Sequence, residues 1–141
     1  MRFMGRPPMS RAETVDAFDR WEQHWQEHGF GLLAVEDAAS GELIGRSGVQ
    51  FHRAWPRDPE VGWAFDPVWW GQGLATEAGR ASVGWMFGSF DVERLVSITT
   101  AENLASRRVM AKLGFVPDVT IPFPELGIEL MVHALPRPAP A

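Results

Sequence analysis

The segment 69–78, WWGQGLATEA, restricts the possible folds of this chain more than any other stretch. It places Gly71 and Gly73 directly before a helix that we predict over residues 73–87. Glycine adopts positive φ without a steric penalty, so the chain can turn sharply and present consecutive backbone N–H groups at the positive end of that helix. This arrangement binds a phosphate group without a charged side chain, although a plain loop-to-helix turn has the same composition. In both cases the segment predicts a helix that follows a tight turn.

Two other phosphate-binding motifs do not fit the segment. A P-loop requires Gly-Lys-Ser/Thr, and the only lysine of the chain, Lys112, lies far outside it. A dinucleotide-binding loop requires a third glycine where this chain has Thr76, and the acidic Asp91 precedes the next strand instead of ending it. Any anion would therefore be held by the two-glycine turn itself.

Periodicity and capping signals predict a mixed α/β domain. Ser10 and Glu13 form a capping box for a first helix that ends at Gly29, and Asn103 and Gly114 bracket a third helix. The segment 53–59 contains two prolines and is predicted to be a loop. The order α-β-β-β-α-β-α-β-β favours one sheet with flanking helices in a single domain, residues 1–135, and a disordered tail at 136–141. The predicted helices are 10–28, 73–87 and 103–113, and the predicted strands are 30–36, 42–51, 60–65, 94–100, 115–121 and 127–134.

Composition excludes several classes of function. Thirteen Lys and Arg against eighteen Asp and Glu give a net charge of −5, which argues against a nucleic-acid or membrane-surface binder. The chain has no cysteine, so a thiolate nucleophile, a disulfide and a cysteine zinc site are all excluded, and a cytoplasmic location fits. His24 and His28 are four residues apart on a helix, but we find no third ligand and predict no metal.

Four stretches occur in order along the chain: GFG at 29–31 with GELIG at 41–45, EVGW at 60–63, WGQGLA at 70–75, and NLASRR at 103–108 with KLGF at 112–115. In these stretches the chain resembles the GNAT superfamily of N-acetyltransferases, in particular the RimJ/RimL-like branch that acetylates the N-termini of ribosomal proteins. Trp70 replaces the Arg or Gln that usually leads the family's pyrophosphate loop, which leaves the backbone cradle intact. The family normally begins with a strand and a helix that are absent here, and Met1-Arg2-Phe3-Met4 matches the segment after that helix, as expected for a late start assignment or a genuine truncation.

The resemblance implies a GNAT-like fold and a reaction. The sheet would be largely antiparallel and splayed between two central strands. Acetyl-CoA would be the cosubstrate, and a small-molecule or peptide amine would attack it directly in a ternary complex, without a metal, nucleic acid or membrane and with a homodimer possible. The absence of cysteine agrees, because no acyl-thioester can form on the enzyme.

The resemblance also implies roles for particular residues. A backbone N–H near Ala64 or Phe65 would polarise the thioester carbonyl. Glu60 would accept the proton of the amine, with His52 or water as alternatives and Glu125 and Glu129 as weaker ones, and each also fits a structural role. Ser106 would protonate the CoA thiolate, unless it only supports the cap of its helix. Arg107, Arg108 and Lys112 are the local cations for the 3′-phosphate, or else form a solvated helix face. The predicted CoA-binding residues are Phe65, Val68, Gly71, Gln72, Gly73, Leu74, Ala75, Thr76, Asn103, Arg107 and Arg108.

Two other functions stay open from the sequence. One is a non-catalytic GNAT-like module that binds CoA or acyl-CoA, and the other is a nucleotide-binding regulatory domain. The acceptor amine is not identified by any motif.

Overall fold

The computed structural model describes residues 9–140, and within them the elements follow the predicted order. The expectation for Met1-Arg2-Phe3-Met4 lies outside the described residues. None of the described helices is both long and apolar enough to cross a membrane. The helices are α1 Arg11–His28, α2 Leu74–Ser89 and α3 Leu104–Leu113, and the strands are β1 Leu32–Glu36, β2 Leu43–His52, β3 Trp55–Phe65, β4 Arg94–Thr99, β5 Val116–Phe123 and β6 Ile128–Pro136.

The strands form one six-stranded sheet in the order β1-β2-β3-β4-β6-β5. Only β3 and β4 are parallel neighbours, and every other neighbouring pair is antiparallel. This confirms the prediction of a single mixed, largely antiparallel sheet. Helices α2 and α3 cover one face, where Val61 and Leu95 of the sheet pack with Met86 and Met110 of the helices. Because neighbouring residues of a strand point to opposite faces, Glu60 and Val96 belong to the other face.

The predicted helix ends are confirmed. Ser10 and Glu13 form the reciprocal capping box of α1, and Gly29 ends this helix with a φ of 76°. Asn103 caps the start of α3, and Gly114 ends it with a φ of 96°. These signals depend only on residues close in sequence, which is why the chain alone predicts them.

The segment 53–59 differs from its predicted loop. The turn is short, β3 already begins at Trp55, and the pairing with β2 shifts register between Gln50 and His52. Proline has no N–H for a strand ladder, so Pro56 and Pro59 fit a bulged start of β3 better than regular pairing. The bulge lets Trp55 reach the sheet face that carries Val96 and Val132, where its side chain is buried.

The predicted tail is ordered at its start. Strand β6 continues to Pro136, and the guanidinium of Arg137 donates hydrogen bonds to the carbonyl oxygens of Phe87, Phe90 and Val92. These carbonyls lie at and just beyond the end of α2, where a helix leaves its last acceptors unpaired. A Pro/Ala-rich composition did not reveal this long-range contact.

Candidate functional site

Strands β3 and β4 separate from one another after a single aligned pair, Glu60 and Val96. Immediately beyond it, the Ser97 hydroxyl donates to the carbonyl oxygen of Val61 over 2.8 Å, so a side chain replaces the next rung of the ladder. The described residues show no further aligned pair between these strands. The sheet therefore opens along the second half of β3, as the resemblance implied.

The backbone groups that face this opening can be identified from the pairing of β3. Gly62 accepts from Ser47 of β2 and Asp66 donates to Ile44, so these even-numbered residues direct their backbone toward β2. Backbone direction alternates along a strand, and Ala64 therefore also faces β2. Phe65 faces the opening, and of the two candidates for polarising a carbonyl only Phe65 has an N–H on that side.

Trp70 also contacts this edge. Its indole N–H donates to the carbonyl oxygen of Phe65 over 2.9 Å. The tryptophan that replaces the family's usual Arg or Gln therefore ties the glycine turn to the end of β3. The Asp66 carboxylate accepts from Val68 at the start of the connecting 3-10 turn and fixes the same corner.

The glycine turn forms a backbone cradle before α2. Gly71 and Gly73 have φ values of 77° and 75°, and a Cβ at either position would meet no atom within 4 Å. Gly73 is the N-cap of α2 and offers no side-chain cap, and the first helical bond runs from Glu77 to Gly73. The amides of residues 74–76, which come before Glu77, have no acceptor within the helix and are available to an anion. Open space and uncapped amides are what a pyrophosphate requires. Of the other residues predicted to bind CoA here, Gln72 lies between the two glycines, and Leu74, Ala75 and Thr76 form the first turn of α2.

The start of α3 lies on the same side of the sheet. Ser106 donates its backbone N–H to the Asn103 side chain over 3.2 Å, which confirms that Asn103 is an N-cap. Ser106 and Leu113 are seven residues apart and share one flank of α3. A Cβ on Gly79 of α2 would lie 2.7 Å from the Leu113 side chain, so this flank faces α2. The structure thus directs Ser106 toward the helix that carries the cradle.

Glu60 is a buried carboxyl group at the point where the strands separate. Its side chain is 8% exposed, and burial raises its pKa to about 8. Two contacts favour the charged form and oppose this shift: the Ile98 N–H donates to Oε2 over 3.4 Å, and the positive charge of Arg46 acts on the carboxylate. Arg46 is itself held with its guanidinium 4.8 Å from the ring centre of Trp21. A carboxyl group with this pKa can exchange a proton near neutral pH.

The alternative bases are engaged elsewhere. His52 accepts the N–H of Ala54 at Nδ1, so the neutral ring carries its proton on Nε2 and has no free acceptor nitrogen. Glu125 forms an ion pair with Arg53 at 2.6 Å, and both side chains are exposed. Glu129 is exposed on β6. Of these groups, Glu60 is the one that belongs to the aligned pair of β3 and β4 where the strands separate.

Arg107 and Arg108 lie on a different flank of α3 from Ser106. Together with Phe115, Pro117 and His133 they line a pocket that faces β5 and β6. In the strand order, β6 and β5 lie beyond β4 on the side away from β3, so the structure does not bring these arginines toward the cradle. Arg107 donates to the carbonyl oxygen of Ala101.

His24 links α1 to the sheet through both ring nitrogens. Nε2 accepts the N–H of Phe51 over 3.1 Å, and Nδ1 lies 2.8 Å from the carbonyl oxygen of Phe30. A backbone N–H can only donate, so Nε2 is unprotonated and Nδ1 carries the proton. Within residues 9–140, no group of three His, Asp or Glu side chains could hold a metal ion.

Sequence reasoning missed the residues that surround Glu60. Arg46 lies on β2, and Ser97 and Ile98 lie on β4, and no local motif marks them. The one signal in the sequence for the position of Glu60 was the alternation of side chains along β3, which directs Glu60 to the sheet face opposite the buried Val61.

Known proteins resemble this chain in sequence. The family model described as acetyltransferase (GNAT) domain matches residues 1–116. The chain is 36% identical over 84 residues to the uncharacterized N-acetyltransferase YnaD of Bacillus subtilis, which covers 59% of this chain and 46% of YnaD. It spans 46–65% of the length of the first three curated relatives that it matches.

Solved structures share the fold. A putative GnaT-family acetyltransferase from Bordetella pertussis superimposes with a TM-score of 0.82 at 26% identity, over 89% of this chain and 77% of that chain. A ribosomal-protein-S5-alanine acetyltransferase from Vibrio fischeri gives a TM-score of 0.75 at 20% identity, over 94% and 78% of the two chains.

Proposed function

This chain belongs to the GNAT acetyltransferase family, and on that premise we propose that it transfers an acetyl group from acetyl-CoA to a primary amine. The observation that carries the proposal is the convergence of three features at one opening in the sheet. These are the uncapped amides of the glycine turn, the edge of β3 at Phe65, whose N–H faces the opening, and the buried carboxyl group of Glu60. A site for CoA alone does not require Glu60 to be buried there.

The cosubstrate would be held mainly by backbone groups. The amides that follow Gly71 and Gly73 would bind the pyrophosphate, and the pantetheine arm would lie as an added strand along the open edge of β3 at Trp63 and Phe65. The strand ends at Phe65, and Val68 lies in the 3-10 turn Pro67–Trp69 that follows it. Asn103, the N-cap of α3, would contact the cosubstrate from the start of that helix. Because the family's 3′-phosphate contacts would need cations near the cradle, this proposal does not use Arg107 or Arg108.

The chemistry would proceed by direct attack. An alkyl ammonium has a pKa of about 10, so it must lose a proton before its nitrogen can form a bond to the acetyl carbon, and Glu60 would accept that proton. The Phe65 N–H would donate to the oxygen that becomes negative. The C–S bond then breaks, and Ser106 would give its proton to the departing CoA sulfur and recover one from solvent.

The acceptor is proposed at the level of its class, a small-molecule or peptide amine. The net charge of −5 favours a cationic acceptor, because the field of the protein raises the local concentration of cations. The Vibrio fischeri neighbour is named for an alanine of a ribosomal protein, which places a peptide with an N-terminal alanine among the amines to test.

Two measurements on the chain test this function. In a thermal-shift assay, CoA and acetyl-CoA should raise the melting temperature, whereas ATP and NAD should not, because only a ligand of the folded state stabilises it. Thiol release from acetyl-CoA is then followed with an N-terminal alanine peptide, a polyamine and an aminoglycoside. Stabilisation by CoA without thiol release for any amine would favour the non-catalytic module, and stabilisation by ATP or NAD would contradict both functions.

Replacing Ser106 by alanine should lower kcat about 10-fold and leave acetyl-CoA affinity nearly unchanged. The factor is modest because a thiol has a pKa of about 8.5, so the thiolate can also leave without a positioned acid at neutral pH. Steady-state thiol release measures kcat, and calorimetry measures affinity. Ala105→Ser/Ser106→Ala is the matched control, since it keeps one hydroxyl in the turn but moves it to an exposed position. An unchanged kcat, or a loss of stability alone, would return Ser106 to a structural role.

A further inference from the structure

A groove on the outer flank of α3 is separate from the opening described above. One wall is α3 itself, where Leu104, Arg107, Arg108 and Ala111 recur at the spacing of one helix flank. The other wall comes from the start of β5 and from β6. The cavity has a volume of about 330 Å³, which is at the lower end of the range for small-molecule sites. We call it the α3–β6 groove; its remaining lining residues are Phe115, Pro117 and His133.

The groove combines cationic and apolar groups. Arg107 and Arg108 are adjacent on its helical wall, and the Arg107 guanidinium is oriented by its hydrogen bond to Ala101 over 3.0 Å. Leu104 and Pro117 supply apolar surface beside them. Two guanidinium groups on one wall create a local positive site on a protein whose overall charge is −5. The ligand class that matches is an anion attached to an apolar body.

His133 provides an independent observation in the same groove. Its side chain is 3% exposed, and Nδ1 is buried without a hydrogen-bond partner among the described residues. Buried polar atoms without a partner are rare in folded proteins, and a bound ligand, ion or water is among the explanations for one. Burial and the nearby Arg107 charge lower the pKa of His133, against the raising effect of backbone groups of Met131 and Ser97, so the neutral ring is favoured.

We propose that the α3–β6 groove binds a small organic carboxylate with an aromatic or aliphatic body. The carboxylate would pair with Arg107 and Arg108 in the fork geometry that guanidinium groups favour, while the apolar body lies against Leu104 and Phe115. The anion would also offset the positive charge beside His133. This site lies on the side of α3 away from β3, so it does not depend on acetyl transfer and is distinct from the CoA cradle.

Benzoate and octanoate are suitable probes, with benzamide as the uncharged match for benzoate. NMR titration of the chain follows the His133 ring signals and gives the dissociation constants. We expect both carboxylates to shift these signals and benzamide to bind at least 10-fold more weakly. Arg107→Met/Arg108→Met should weaken benzoate at least 10-fold, whereas Arg11→Met/Arg20→Met, two exposed arginines of α1, should leave it unchanged.

Two results would overturn the proposal. The first is the absence of a carboxylate site, seen as unchanged His133 signals with both carboxylates or as equal binding of benzamide and benzoate. The second is a role of the arginines in binding the cosubstrate, seen as displacement of benzoate by CoA or as a loss of CoA affinity in Arg107→Met/Arg108→Met. If the chain binds benzoate but releases no thiol, the proposed acetyl transfer is contradicted and the proposed carboxylate site is still supported. The two proposals can therefore fail independently.

Discussion

Glu60→Gln is expected to lower kcat/KM for the acceptor amine by roughly 10²–10⁴, which is the usual contribution of a positioned general base. Glutamine keeps the shape of the side chain and can still meet the Ile98 N–H with its carbonyl oxygen, so the change removes the ionisable group and little else. CoA affinity should be nearly unchanged, because no part of the proposed cradle touches this position. Thiol-release kinetics and calorimetry with CoA give the two numbers.

The pH profile identifies the base more specifically than the rate loss. With a pKa of about 8, Glu60 is only about one-tenth ionised at pH 7, so kcat/KM should rise with a limb centred near pH 8. The acceptor amine titrates as well, and two amines of different pKa separate the contributions: the limb due to Glu60 stays in place while the other moves. In Glu60→Gln only the limb of the amine should remain.

The pH dependence of the free energy of unfolding is an independent test of the raised pKa of Glu60. The pKa of Glu60 is raised from its ordinary value of 4.5, so between that value and about 8 the native state binds more protons than the unfolded chain. The free energy of unfolding should therefore fall as pH rises through this window, and Glu60→Gln should flatten the fall. Glu129→Gln is the matched control, an exposed carboxylate on another strand that should change neither rate nor stability. A Glu60→Gln enzyme with near-normal rates at pH 7 would assign proton removal to water.

The elements that the sequence predicts well are those fixed by near neighbours. The capping box of Ser10 and the glycines after α1 and α3 act over three or four residues, and the structure keeps them all. The glycine turn is also local, because positive φ at Gly71 and Gly73 needs no distant partner. One sheet that alternates with helices then follows from the order of the elements.

The features that the sequence did not predict depend on contacts between distant segments. Two prolines indicated a loop at 53–59, but Trp55 gains burial against Val96 and Val132 by starting β3 early. Arg137 lies in a composition typical of a tail, yet it binds carbonyl oxygens about fifty residues away at the end of α2. In both cases tertiary packing outweighs the local preference.

The candidate site divides in the same way. Its cradle is a continuous segment and could be proposed from the residue order alone. The environment of Glu60 comes from β2, β3 and β4, and the flank on which Arg107 and Arg108 lie is decided by the order of the strands. Helical spacing places these arginines on one flank with Leu104 and Ala111, and the strand order shows that this flank faces away from β3.

Gly73→Ala is expected to weaken CoA binding by roughly 10- to 100-fold, which corresponds to losing one hydrogen bond between a backbone N–H and a charged phosphate. The added Cβ meets no protein atom within 4 Å, so its cost within the protein is the backbone strain at a φ of 75° and not a steric clash. The space that the methyl group would occupy is open, and in the proposed complex the pyrophosphate approaches the amides that follow Gly73. Calorimetry with CoA measures the loss.

Gly41→Ala separates this effect from backbone strain. Gly41 has a φ of 73°, close to the 75° of Gly73, and its added Cβ also meets nothing within 4 Å. Alanine in the left-handed region costs about 1–2 kcal/mol, so both variants should lose similar thermal stability. Only Gly73→Ala should lose CoA affinity, because Gly41 lies in the turn between β1 and β2, away from the cradle. Equal CoA affinities for the two folded variants would show that the amides before α2 do not bind the pyrophosphate.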